Sequence, residues 1–136
     1  MAAIDSTPKP RAPRPLSPHL SIYRLTLTMA MSGAHRITGM GLYAGVLLLA
    51  WFLVAASRDA SAFATFSWFI QSIIGRLVLF GFTWSLIHHM LGGVRHFIWD
   101  IGYGLDDPER EYLAQATMIG GIVLTIVIWI IGYIVR

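Results

Sequence analysis

Apolar residues fall along this chain in three long runs, interrupted only by isolated polar positions. The first covers about residues 34–56, the second about 63–99 and the third about 116–135. A helix needs about 20 such residues to cross the ~30 Å hydrocarbon core of a bilayer, and each run supplies them. The pattern predicts an all-α integral membrane protein with three transmembrane helices, over about residues 32–56, 63–99 and 114–135. The second run is the odd one. As a single helix it exceeds the core by over half again, so it has to tilt or project beyond the bilayer.

Two residues fix its placement. Arg76 and Trp99 are 23 positions apart, about 34 Å along a helix, which suits them to opposite interfaces. Leu105 to Tyr112 is acidic and contains Pro108, which reads as a short turn between antiparallel helices. Residues 1–28 form a separate inner-side arm and interfacial segment ahead of a transmembrane domain over residues 29–136. The arm holds Pro8, Pro10, Pro13 and Pro15 among basic residues. It lacks the apolar core of a secretory signal, and Asp5 with no amphipathic Arg/Ser pattern argues against a transit peptide. Ser17-Pro18 suits a helix start, whereas Leu20 to Tyr23 alternates like an extended segment.

Composition agrees with the hydropathy. Of 136 residues, 56% are hydrophobic and 12% charged, against roughly a quarter charged in soluble domains. The formal charge of +3 calls for no nucleic-acid partner, because the basic residues sort by membrane flank. Lys9, Arg11, Arg14, Arg24, Arg36, Arg95 and Arg110 fall on one side, Arg58, Arg76 and Arg136 on the other. That bias puts the N-terminus inside and the C-terminus outside. With no cysteine, the chain offers no disulfide, thiolate metal site or iron–sulfur cluster. Any metal is held by histidine or carboxylate, or arrives inside a cofactor. Gly41 and Gly45 form a small-xxx-small pair on the first helix, a packing face.

The chemistry concentrates in His88-His89-Met90-Leu91-Gly92-Gly93-Val94-Arg95-His96, at the end of the second run. Ionisable side chains at that depth are costly and mark a functional site by default. His89 and His96 share one helix face, about 10 Å apart along the axis, and His88 points about 100° away. Gly92 and Gly93 clear the turn between them for a flat group or another helix. A haem ligated by a histidine explains the cluster; so does a polar helix end snorkelling to the interface. Depth favours His89 as the ligand, since a neutral imidazole in hydrocarbon needs a partner that iron supplies. His35 belongs to the shallower level of His96, suited to propionates. A second axial histidine then has to come from another chain. At the same inner level, Ser32 and Arg36 are four apart and share a face.

Two segments carry a family resemblance. Arg14-Pro15-Leu16-Ser17-Pro18-His19-Leu20 is followed by Ser32-x-x-His35-Arg36-x-Thr38-Gly39, and later comes His89-x-x-x-Gly93-Val94-Arg95-His96-Phe97-x-Trp99-Asp100-x-Gly102. Both resemble the cytochrome b subunit of succinate dehydrogenase, the larger small membrane anchor of respiratory complex II. The resemblance implies a haem-binding bundle completed by a second anchor subunit, with His89 as axial haem b ligand and the other histidine from that subunit. It implies ubiquinone binding at Ser32 and Arg36, near the iron–sulfur subunit, and propionate surroundings at His35, Arg95 and His96. The flavoprotein subunit would hold the dicarboxylate chemistry, leaving the isolated chain without activity. The expected location is a bacterial inner membrane. Asp100 lies beyond the helix end, where capping, ion pairing and proton relay are all open to it, and His88 reads as structural.

Two rivals stand beside this reading. A haem-free anchor of the same complex shares every feature except the reduced b-type absorption bands. A small proton-conducting subunit needs polar residues at the midplane of several helices, and the third run offers only Thr125 there.

Overall fold

The computed structural model describes residue 19 and residues 22–135. Most of the expected arm, including Lys9, Arg11, Arg14 and the Ser17-Pro18 pair, lies outside the described residues. Four helices make up most of the described chain: α1 spans Leu27–Arg58, α2 Ala60–Gln71, α3 Ile73–Asp100 and α4 Glu109–Val135. Three of these, α1, α3 and α4, are long and apolar enough to span a membrane. The least apolar is α3, at a mean hydropathy of 1.4 against 2.0 and 2.5, because it carries three histidines and two arginines.

Local chemistry sets the ends. Thr26 caps α1 by accepting the Met29 amide on its hydroxyl oxygen at 3.3 Å. Ser32 therefore sits in the second turn of α1, not at its start. Asp59 ends α1 and begins α2 in one residue, its carboxylate accepting the Ala62 amide at 2.8 Å. The second apolar run is two helices where hydropathy alone suggests one. Ser72 interrupts it with an extended ψ of 161°. Its hydroxyl donates to the Phe69 carbonyl at 2.6 Å and accepts the Gly75 amide at 3.0 Å, so one side chain closes α2 and opens α3. Gly75 makes the tight corner possible, since a Cβ there would collide with the Phe69 carbonyl. The break reduces the length problem: α3 alone has 28 residues, about 42 Å, which leaves a helix end or a tilt to take up the excess over the core. Arg76 lies in its first turn and Trp99 in its last.

The bundle is packed from small and polar residues, with the large apolar ones facing outward. Buried positions include Thr38, Gly45, Ala55, Ser85, Gly92, Ala114, Thr117, Gly121 and Thr125, while Leu47, Ile74, Phe97 and Ile134 are exposed. Lipid solvates the outer face as well as a core would, so association depends on close backbone approach. Gly41 and Gly45 supply it between α1 and α3: a Cβ on Gly41 would lie 2.9 Å from the Ser85 hydroxyl, and one on Gly45 would enter the Phe82 ring. Threonine hydroxyls bond carbonyls one turn back, as Thr125 does to Gly121 at 2.6 Å and Thr117 to Leu113 at 2.8 Å. They reach the interior with their polarity satisfied. The α3–α4 connection turns at Gly102 and Gly104, both at positive φ (84° and 71°), where glycine carries no Cβ penalty. Trp99 pins this loop by donating its indole N–H to the Gly104 carbonyl at 2.9 Å.

Candidate functional site

At one end of the bundle, α1 and α3 bring three histidines together. The rings of His35 and His89 stack with centroids 3.9 Å apart and planes 10° from parallel. His96 meets the other end of His35, centroids 5.7 Å apart. His35 thus bridges the turn between His89 and His96. This corrects the expectation that it belongs only to the shallower level of His96. The reason is Gly92. The His35 imidazole occupies the space a Cβ on Gly92 would take, so the glycine opening is filled from α1. Gly93, by contrast, has nothing within 4 Å of its Cβ position.

The bonding of His89 decides its chemistry. Its Nδ1 lies 3.1 Å from the His35 carbonyl oxygen and 3.4 Å from the Thr38 hydroxyl oxygen. A carbonyl only accepts, so Nδ1 carries the hydrogen of the neutral ring and Nε2 keeps the lone pair. Thr38 is consistent with this, because its own hydrogen points back to the Ala34 and His35 carbonyls at 2.9 and 3.0 Å. No described residue bonds Nε2. An imidazole fixed by a backbone carbonyl through Nδ1, with Nε2 uncommitted, is what metal ligation requires. Thr38, 1% exposed, and Gly39, whose Cβ would lie 3.1 Å from His89 Cε1, entered the sequence reading only as motif positions, with no role assigned to either. The available signal was their position one turn after His35, where only a small side chain admits a ring to that carbonyl.

Arg95 and His88 occupy the next face of α3, seven residues apart. Arg95 is 4% exposed, with its guanidinium carbon 5.0 Å from the centre of the Trp99 ring. Its Nε is buried without a partner, and among the described residues the one ion pair is Arg110–Asp107. A buried guanidinium without a carboxylate suits an anionic partner. His88, at 2%, stacks on Trp84 and abuts Gly121 of α4. It is turned away from the other histidines. Ser32 and Arg36 lie exposed on α1, four residues apart, and neither forms a side-chain bond within the described residues. The structure thus gathers His35, His89 and His96, sets Arg95 one face away, and leaves Ser32 and Arg36 on an open surface beside them.

The residues present fit a haem: an imidazole with its Nε2 available, and an orphaned buried guanidinium for a propionate. A family model described as the succinate dehydrogenase/fumarate reductase transmembrane subunit matches residues 10–129. The chain is 42% identical over 124 residues to the succinate dehydrogenase cytochrome b556 subunit of Paracoccus denitrificans, covering 91% of this chain and 95% of that one. It is 33% identical over 117 residues to the protein of the same name in Rickettsia felis, covering 86% and 91%. Over 101 residues it is 42% identical to the mitochondrial cytochrome b560 subunit of Sus scrofa, covering 71% of this chain and 58% of that one.

Proposed function

The chain belongs to the succinate dehydrogenase/fumarate reductase transmembrane subunit family, and from that premise we propose that it anchors a succinate dehydrogenase in a bacterial inner membrane, binds haem b and helps form the ubiquinone site. The observation that carries the haem reading is the His89 Nδ1 bond to the His35 carbonyl. His89 would hold the haem iron through Nε2, and a histidine of the second anchor subunit would share that role. Arg95, His35 and His96 surround the propionates. When bound there, a haem supplies a one-electron redox centre inside the membrane.

At the quinone site the chain contributes two groups on one face of α1. The Ser32 hydroxyl donates to a quinone carbonyl oxygen. The Arg36 guanidinium stabilises the negative charge that develops on that oxygen as electrons arrive from the iron–sulfur subunit. Both side chains are exposed because the iron–sulfur subunit and the second anchor close the site from the other side. The N-terminus faces the cytoplasm, which puts this end of the bundle on the side of the soluble flavoprotein and iron–sulfur subunits.

Two measurements test the reading. A reduced-minus-oxidised spectrum of the purified complex should show b-type bands; their absence makes the chain a haem-free anchor. Arg36→Leu should lower succinate-driven quinone reduction by about a hundredfold, the scale of losing one donor to a developing oxyanion, with Ser32→Ala acting in the same direction. Dye reduction by the soluble subunits should stay intact. Equal loss of both activities would indicate failed assembly in place of a quinone role.

A further inference from the structure

A cavity of about 520 Å³ lies at the opposite end from the histidines, between the start of α3 and the end of α4. Its lining is graded. Gln71, Arg76 and Tyr133 stand at the helix ends. Leu79, Thr83, Ile128 and Trp129 lie one to two turns deeper, about 10 Å by the time Thr83 is reached. The Thr83 hydroxyl is already donated to the Leu79 carbonyl at 2.7 Å, so the deep end is mainly apolar, with the Trp129 indole its one N–H donor among the lining side chains. At the shallow end, Arg76 has no carboxylate partner among the described residues, and neither Gln71 nor Tyr133 forms a side-chain hydrogen bond there. Gly132 lines the groove with open space where its Cβ would be.

A cation with two uncharged polar groups over an apolar channel, at the level of a membrane interface, complements a molecule with an anionic head and an aliphatic tail. We propose that this groove holds one anionic phospholipid, its phosphate on Arg76 with Gln71 and Tyr133 beside it, and an acyl chain laid between α3 and α4 along Leu79 and Ile128. A helix from another subunit fits less well, because it would leave Arg76 facing apolar surface. Volumes of about 300–1,000 Å³ are usual for small-molecule sites, and basic pockets between membrane helices are a recognised way to hold lipid head groups.

The test uses the assembled complex, delipidated in neutral detergent, with native mass spectrometry counting retained lipid. Phosphatidylglycerol and phosphatidylcholine of matched chains are offered separately. Wild type should retain one more phosphatidylglycerol than Arg76→Gln, and prefer it over phosphatidylcholine at this position about fivefold, the ratio corresponding to about 1 kcal/mol for one near-surface basic residue. Gly132→Leu fills the groove without touching charge and should expel the same lipid. Millimolar inorganic phosphate should not displace it. Equal lipid counts in wild type and Arg76→Gln overturn the proposal, as does displacement by phosphate alone. Loss of the second anchor subunit from Gly132→Leu also overturns it, because the groove would then be a subunit contact.

Discussion

Two adjacent histidines on α3 meet opposite fates. His89 faces α1, where a backbone carbonyl fixes its Nδ1 hydrogen and its ring stacks on another imidazole. His88 faces α4, where it is 2% exposed and packs on Trp84 and Gly121, with both ring nitrogens buried and unbonded. Their sequence context is nearly the same, and they differ by about 100° around one axis. Chemistry follows the neighbour. The α1 surface offers a carbonyl exposed by Gly39 and a hydroxyl from Thr38, whereas α4 offers the Gly121 backbone on a face whose Thr117 and Thr125 hydroxyls are already donated within their own helix. His89 is oriented by its neighbours, whereas His88 merely has room made for it.

The sharpest break in that comparison is replacement of each ring. In the purified complex, His89→Leu should abolish the low-spin bis-histidine signal, leaving high-spin haem or none, while His88→Leu should leave the spectrum nearly unchanged. Low-spin haem that survives loss of His89 but not of His88 would reverse the assignment.

The glycines give a second contrast. Gly92→Ala places a Cβ within the His35 ring, so the α1–α3 cluster has to open. An overpacking cost of about 1–3 kcal/mol is expected, with reduced haem occupancy in the same preparation. Gly121→Ala meets His88 Nδ1 at 3.2 Å, which a shift of a few tenths of an ångström relieves. Its cost should stay below about 1 kcal/mol, with haem content unaltered. Denaturant titration of the complex, followed by haem absorbance, separates the two. Matching losses would mean that both interfaces serve only packing.

Thr38→Val is the mildest change. It removes the 3.4 Å contact to His89 but keeps the carbonyl bond, so spin state should persist. Stability should fall by about 0.6 kcal/mol, typical of an interhelical polar contact in a membrane protein. A change of spin state would show that Thr38, and not the His35 carbonyl, sets the tautomer.

By itself the sequence determined the three spans, the gathering of histidines and arginines towards one end, and the opposing faces of His88 and His89. Hydropathy and helical phase are local properties, readable from a few turns of chain. The break at Ser72 was less legible, because an apolar run hides a capping hydroxyl that acts only once Gly75 folds beneath the Phe69 carbonyl. Tertiary structure alone decided that the ring of His35 reaches His89, that Arg95 is buried over Trp99, and that the His35 carbonyl orients the His89 ring. Those outcomes depend on the axial register and rotation of α1 against α3. That register is set by which side chains fill the hollows at Gly41, Gly45 and Gly92, a fit between residues some 40 to 60 positions apart that no local period encodes.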